Sequence, residues 1–208
     1  LGVSKMKMED IYNNLPLIET ERLKLRKLTL DDAEDMHLYG SNKEVTKHVF
    51  WDTHQSLSDT EAFIQYALDQ YKNKQIAPWG IEHKQDKKLI GTIDFVCWLP
   101  EHRIAEIGYV IAPDYWGRGI ATEAANAVIE FGFTKMNLIR IEAKCFKENI
   151  ASARVMEKAG MTLEGIIQKG IFAKNKHWDL KLYSILRDEF FQIHNYLKQE
   201  LLLWYLKG

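Results

Sequence analysis

The chain has 208 residues, a length typical of one domain whose core is large enough to fold without disulfides or metals. Apolar residues make up 46% and charged residues 27%, a balance that excludes a collagen-like, coiled-coil or fully disordered chain. The 28 Lys and Arg residues nearly cancel the 29 Asp and Glu residues, and the formal net charge of -1 argues against binding to nucleic acid or anionic membrane through overall charge.

The first half of the chain carries the patterns of strands and two helices. Thr29, followed by two aspartates, predicts the N-cap of a helix that runs towards Tyr39. Residues 58–61 (SDTE) have the spacing of a capping box at the start of a second helix. The predicted strands, the last two of which form an antiparallel hairpin, are 23–28, 79–82 and 89–96.

The second half alternates strands with helices. Gly117 and Gly119 open one helix, and a shorter helix lies between Asn149 as N-cap and Gly160 just beyond the C-cap. Strands are predicted at 105–111, 139–145, 165–172 and 178–185, and an amphipathic helix at 187–206. The whole pattern predicts a mixed α/β (α+β) fold with six or seven strands and about four helices. We expect one domain over 1–208, with a core at about 17–187 and a C-terminal helical extension at 188–208.

Residues 109–125 (YVIAPDYWGRGIATEAA) carry the most informative chemical pattern. Two glycines let the backbone approach a ligand at the start of a helix, where unpaired N–H groups and the helix dipole favour an anion such as a pyrophosphate. A P-loop is excluded because GxxxxGK[ST] is absent, and a Rossmann fingerprint fails because Thr122 stands at its third glycine. A glycine-bearing loop that only begins a helix remains the alternative.

Four segments of the chain resemble the GNAT superfamily of acetyltransferases. Residues 106–124 (EIGYVIAPDYWGRGIATEA) are similar to its acetyl-coenzyme A (acetyl-CoA) binding segment, and residues 149–165 (NIASARVMEKAGMTLEG) to the segment that follows it. Residues 20–36 (TERLKLRKLTLDDAEDM) and 177–186 (HWDLKLYSIL) resemble the RimJ/RimL branch, which acetylates N-terminal α-amino groups of ribosomal proteins. The resemblance implies the GNAT fold, whose central sheet is mixed and largely antiparallel.

The resemblance also implies acetyl-CoA as the cosubstrate. The family's pyrophosphate loop falls on residues 116–121 (WGRGIA), with Trp116 where Gln or Arg is usual. In the family, the strand equivalent to 106–111 splays from its neighbour, so that an amide near Val110 or Ile111 would polarise the thioester carbonyl. The backbone amides expected to hold the pyrophosphate are those of Gly117, Arg118, Gly119, Ile120, Ala121 and Thr122.

Three side chains are candidates for the chemistry that the resemblance implies. Glu106 is the candidate base for the attacking amine, with a solvent-facing strand glutamate as the alternative. Asn149 is expected to cap its helix and also to contact the cofactor or a catalytic water. The tyrosine that protonates the leaving thiolate in many members falls on Met156, so Ser152, one turn earlier on the same face, becomes the candidate acid and a further cofactor contact.

The acceptor site is marked less clearly. Trp51 and Trp98 are expected in loops that flank the acceptor cleft, and His102 is a further candidate for its lining; core packing or an ordinary surface position is the alternative for each. The seven histidines and two cysteines show no paired spacing, which argues against a metal site.

These observations predict an N-acetyltransferase with a protein N-terminus as the leading acceptor. A small amine such as a polyamine, amino acid or aminoglycoside is the rival acceptor, and a non-catalytic CoA-binding module is the alternative class because Met156 replaces the usual acid. The opening residues 1–14 lack the apolar stretch of a signal peptide, and the longest apolar run is 201–206, so we expect a cytoplasmic protein without membrane or nucleic-acid partners. The apolar stripe of 187–206 predicts packing on its own domain or, as we favour, a homodimer.

Overall fold

An eight-stranded sheet organises the computed structural model of the protein, which describes residues 8–192. The strands are β1 (Ile18–Glu19), β2 (Leu23–Arg26), β3 (Trp79–His83), β4 (Lys88–Leu99), β5 (Ile104–Ile111), β6 (Arg140–Phe146), β7 (Thr162–Ala173) and β8 (Lys176–Leu186). The helices are α1 (Met8–Tyr12), α2 (Ala33–Gly40), α3 (Lys43–Thr46), α4 (Leu57–Lys72), α5 (Ile120–Thr134) and α6 (Ile150–Lys158). Within the described residues, no helix combines the length and the apolar character that crossing a bilayer requires.

The sheet is antiparallel except at one place. Its strand order is β1-β2-β3-β4-β5-β6-β8-β7, and only β5 and β6 pair in parallel, because α5 connects them as a crossover helix. Helices α5 and α6 cover one face, where Trp79 of β3 and Phe131 of α5 meet edge to face at 5.8 Å. Helices α2 and α4 pack together on the other face, with α2 against β4. We call these the α5/α6 face and the α2/α4 face.

The predicted mixed, largely antiparallel GNAT fold is confirmed, with differences in detail. The two-residue strand β1 and the short helices α1 and α3 were not anticipated, because segments so short carry little periodicity. The capping box at the start of α4 lies two residues earlier than predicted: Ser56 accepts a hydrogen bond from the backbone N–H of Asp59, and the Asp59 carboxylate accepts one from the backbone N–H of Ser56.

Only the beginning of the predicted C-terminal helix belongs to the described part of the chain. Residues 187–192 are helical, and residues 193–208 lie outside the described residues. Phe190 is buried, and its ring lies 5.3 Å from that of Phe133 on α5. The first turn of this segment therefore packs on its own domain.

Candidate active site

Strands β5 and β6 separate halfway along their length. Their parallel pairing runs from Ile104 to Ile107 on β5 and ends at Ala143 on β6. Beyond that point β5 pairs only with β4, and β6 only with β8. The facing edges of residues 108–111 and 144–146 therefore lack a strand partner, which leaves backbone groups free for an extended ligand that carries amide groups. We call the space between these free edges the gap. Of the two residues predicted to polarise the thioester, Ile111 directs its N–H into the gap, whereas the N–H and C=O of Val110 face Thr92 of β4.

A glycine turn lies beyond the end of β5, at the N-terminus of α5. Gly117 and Gly119 have positive φ angles of 72° and 76°, a conformation that only glycine adopts at low cost, and Gly119 is the N-cap of α5. A Cβ built on Gly117 would meet no atom within 4 Å, so the turn is open on this side. Within residues 8–192 the backbone N–H groups of 117–119 have no hydrogen-bond partner, and Ile120, Ala121 and Thr122 form the first helical turn behind them.

Arg22 fixes this turn from a distant part of the sequence. Its guanidinium donates to the carbonyl of Arg118 at 2.9 Å and to the Glu123 carboxylate at 2.6 Å. Glu123 also accepts a hydrogen bond from the Thr20 hydroxyl at 2.6 Å. Although burial raises the pKa of Glu123, these hydrogen bonds together hold it below its ordinary value. No local pattern in the sequence pairs residues that lie about a hundred positions apart.

Trp116 has a structural role that accounts for its place in the loop. Its indole Nε1–H donates to the carbonyl of Ile111 at 2.7 Å and so closes the turn that follows β5. The neighbouring Arg118 is exposed, with its guanidinium 5.5 Å from the centre of the Tyr115 ring. Arg118 is therefore free to turn its charge towards a phosphate bound at the turn.

A cluster of hydroxyl groups borders the gap on the α5/α6 face. The Ser152 hydroxyl lies 2.9 Å from the phenol oxygen of Tyr109, and the Ser152 backbone N–H donates to Asn149 Oδ1 at 3.0 Å. The N-cap role of Asn149 is thus confirmed. Burial raises the pKa of Tyr109 although the hydrogen bond to Ser152 lowers it. Burial also raises the pKa of Cys145 to about 11, so this thiol is protonated at neutral pH.

Glu106 lies on the opposite face of the sheet from this cluster. Successive strand residues alternate between faces, so Glu106 faces α2 and α4 while Ile107 and Tyr109 face α5 and α6. Its carboxylate accepts a hydrogen bond from Lys144 Nζ at 2.6 Å, across the β5–β6 pairing. Sequence analysis did not anticipate this ion pair. The candidate base and the candidate acid therefore flank the gap from two sides.

Asp94 is a second carboxylate on the α2/α4 face, which sequence analysis missed. It lies on β4 directly opposite Gly108, the first residue of β5 beyond the last β5–β6 pair. A Cβ added to Gly108 would stand 2.7 Å from Val96 Cγ1 and 3.6 Å from Asp94 Oδ1, so the Val96 side chain lies over Gly108 next to this carboxylate. Burial raises the pKa of Asp94 from 3.8 to about 7. The alternation of β4 could have placed Asp94 on this face, but not beside the gap.

The three predicted acceptor residues are not brought together. Trp51 does lie in a loop, the one between α3 and α4, with its ring 5.2 Å from that of His54. The prediction for Trp98 is wrong: it lies within β4, only 4% exposed, because a bulge at residue 96 turns its indole into the core. His102 is exposed in the turn before β5, roughly 20–25 Å along the strand from the free edge at residues 110–111, so it does not line the gap.

The same bulge moves Cys97 to the surface. Cys97 pairs with Glu106 and is exposed, although it lies in an apolar stretch of the sequence, where a cysteine is usually buried. A bulge inserts one residue into a strand and so reverses the alternation beyond it, which the sequence pattern does not show.

The β7–β8 hairpin closes the α2/α4 side of the gap at the end of β6. Lys174 at its tip donates to the Trp51 carbonyl at 2.9 Å. Phe146, the last residue of β6, stacks on Trp178 at 4.4 Å and meets Phe50 edge to face at 5.2 Å. We call the surface between the 47–56 loop, this hairpin tip and the gap the acceptor cleft. It lies on the face of the sheet that carries Asp94 and Glu106.

A turn with unpaired backbone N–H groups, followed by a gap with free strand edges, would suit a long ligand with a phosphorylated end and an amide-containing arm. Comparison with known proteins identifies the class. Residues 22–162 match the family of acetyltransferase (GNAT) domains, and the chain belongs to this family. It is therefore an acetyltransferase of the GNAT type, and these enzymes use acetyl-CoA.

Individual relatives differ in the acceptor that their names describe. The chain is 38% identical over 172 residues to "Uncharacterized N-acetyltransferase YoaA" of Bacillus subtilis, covering 83% of this chain and 97% of that protein. It is 30% identical to "Putative ribosomal N-acetyltransferase YdaF" of B. subtilis (81% and 93% covered) and 25% identical to the spermidine N(1)-acetyltransferase of Escherichia coli (86% and 94% covered). Among solved structures, the microcin C7 self-immunity acetyltransferase MccE, in complex with acetyl-CoA and AMP, superposes with a TM-score of 0.72 at 26% identity (80% and 93% covered).

Proposed function

We propose that the protein transfers the acetyl group of acetyl-CoA to the N-terminal α-amino group of a protein or peptide. The observation that carries this proposal is the gap between β5 and β6, which joins the glycine turn at 117–119 to the acceptor cleft. The pyrophosphate of the cosubstrate would lie on the free N–H groups of the turn, and its pantetheine arm would pair with the free edges of β5 and β6. The thioester would then lie within reach of both faces of the sheet.

The reaction needs no covalent intermediate on the enzyme. The amine nitrogen attacks the carbonyl carbon of the thioester from the acceptor cleft, and the amide of Ile111 donates a hydrogen bond to the oxygen, which gains negative charge. The carbon–sulfur bond breaks and the CoA thiolate leaves on the α5/α6 face. There the linked hydroxyls of Tyr109 and Ser152, 2.9 Å apart, would supply its proton. Tyr109 thus offers the phenol that Met156 cannot provide.

Charge in the acceptor cleft favours a single ammonium group over a polyamine. Lys144 forms an ion pair with Glu106, Lys174 lies 3.9 Å from the exposed Asp52 carboxylate, and Lys176 adds positive charge at the hairpin tip. A long polycation would have to pass these lysines, whereas an α-amino group brings one charge. Its pKa of about 7.7–8.0 also makes it easier to deprotonate than a primary alkylamine with a pKa of about 10.4.

A polyamine acceptor is the alternative, and the similarity to spermidine N(1)-acetyltransferase supports it. The resemblance to the RimJ/RimL branch and the similarity to YdaF support the protein N-terminus. The choice between a polyamine and a protein N-terminus as acceptor therefore has to be made by experiment.

The experiment measures release of the CoA thiol from acetyl-CoA with two kinds of acceptor. Short peptides with a free N-terminus are compared with the same peptides blocked by N-terminal acetylation, and with spermidine. We expect kcat/KM for the free peptides to exceed that for spermidine and to vanish for the blocked peptides. Faster turnover of spermidine than of every peptide would contradict the proposed acceptor.

A further inference from the structure

Asp94 occupies a position that its own fold does not explain. Its carboxylate lies on the α2/α4 face beside Gly108, where β5 begins to leave β6. It is half-buried, and nothing in the described part of the chain hydrogen-bonds or forms an ion pair with it. Solvent reaches its oxygens, so this unpaired carboxylate near the gap is available to pair with the ammonium group of an acceptor.

Other carboxylates on this face of the sheet are fully engaged. Asp32 accepts hydrogen bonds from the Arg26 guanidinium at 2.7 Å and 2.8 Å, and Asp35 accepts one from the backbone N–H of Leu89 at 3.0 Å. Glu106 is held by Lys144 at 2.6 Å. An ion pair with an ammonium stabilises the charged form of a carboxylate and occupies the oxygen that would accept a proton. Asp94 is the acidic side chain beside the gap without such a partner among the described residues.

We propose that Asp94 contacts the acceptor amine and takes its proton, while the Glu106–Lys144 pair positions the edge of β5. This assignment rests on the proposed acetyl transfer. Cross-strand geometry places Asp94 roughly 7–8 Å diagonally from Glu106 and directly across from Gly108, three residues before Ile111, whose N–H faces the gap. An amine bound to Asp94 would therefore stand close to the thioester carbonyl.

The proton balance of the step is complete without any further reactant. The bound ammonium gives one proton to the Asp94 carboxylate, and its lone pair forms the carbon–nitrogen bond. As the carbon–sulfur bond breaks, the nitrogen loses its second proton to solvent, and the thiolate gains one from the Tyr109–Ser152 pair. Asp94 then releases its proton to solvent and Tyr109 takes one up, which restores both groups for the next turnover. The products are an acetylated amine, free CoA thiol and one released proton.

The groups that face Asp94 determine how it titrates. Burial is the main cause of the raised pKa of Tyr12 in α1 and of Tyr71 in α4, and the nearby Asp94 charge raises each further, so both are neutral below pH 10. Glu106 of β5, paired with Lys144 of β6, completes the set of charged groups on the neighbouring strand. With its pKa raised to about 7 by burial, Asp94 is half ionised near neutral pH, the range in which a general base is most effective.

The test compares Asp94→Asn with Glu106→Gln. The control is Asp69→Asn, because Asp69 is exposed near the end of α4 and, among the described residues, its side chain bonds only to Gln65 of its own helix. The assay is thiol release from acetyl-CoA at pH 6–9, with a free-N-terminus peptide and with spermidine. We expect Asp94→Asn to lower kcat/KM at pH 7 by at least about 100-fold without changing acetyl-CoA affinity. We expect a loss of less than about tenfold for Glu106→Gln, and wild-type rates for Asp69→Asn.

The pH profile separates a catalytic from a merely structural role. In the wild type, the plot of kcat/KM against pH should have an inflection near pH 7 with both amines. In Asp94→Asn this inflection should disappear, and kcat/KM should continue to rise as the pH approaches the pKa of the amine. A loss smaller than threefold, or a loss with the inflection unchanged, would overturn the assignment. If Asp94→Asn does not fold, the wild-type profile alone decides, because an inflection that differs between the two amines excludes Asp94. Preference for spermidine over peptides would refute the proposed acceptor, but the effect of Asp94→Asn could still be interpreted because it is measured with both amines.

Discussion

Replacing Asp94 by Asn is expected to stabilise the fold above pH 7. In the folded protein, burial raises the pKa of Asp94 from 3.8 to about 7, so the folded state holds this proton more tightly than the unfolded state does. The stabilising contribution of the protonated group is complete below pH 3.8 and is lost as the pH rises to 7. A difference of roughly three in pKa corresponds to at most about 4 kcal/mol, and access of water to the cleft reduces it.

Urea denaturation at pH 5 and pH 8 measures this effect. We expect the asparagine variant to exceed the wild type in free energy of unfolding at pH 8, and the advantage to shrink at pH 5. Glu164→Gln serves as a control of opposite sign: Arg140 and Ser184 lower the pKa of Glu164 to about 2, so its removal should destabilise the protein at pH 8. An Asp94 variant that is less stable than the wild type at both pH values would show that the carboxylate is a structural hydrogen-bond acceptor, contrary to the geometry described above.

Three further changes test the cofactor side of the site. Gly119→Asp should weaken acetyl-CoA binding at least about 100-fold in calorimetry. The positive φ at this position costs a residue with a side chain about 1–2 kcal/mol, and the new negative charge repels the pyrophosphate. Unchanged affinity in a folded variant would refute the turn as the binding site. Arg22→Met should weaken binding roughly tenfold by freeing the turn, whereas Lys24→Met, two residues further on in β2, should not; equal effects would contradict a specific role. Tyr109→Phe should lower kcat about 10-fold or more with KM for acetyl-CoA retained, and an unchanged kcat would assign the proton to solvent.

Local sequence signals determined much of the cofactor side of this protein. The positive φ angles of Gly117 and Gly119, the helix that follows them and the N-cap of Asn149 all follow from preferences that act within a few residues. Alternation along the chain likewise predicted most strands and the face of Glu106. Such features depend on short segments, so a single sequence was sufficient to predict them.

The acceptor side was decided by the tertiary structure. Lys144 meets Glu106 across 38 positions of sequence, and Asp94 lies beside the gap only because β4 pairs with β5 in one particular register. A bulge at residue 96 turned Trp98 into the core and Cys97 to the surface, against the pattern on either side of it. Strand register, bulges and the end of pairing between β5 and β6 are set by packing of the whole sheet, because each depends on contacts between residues far apart in the chain.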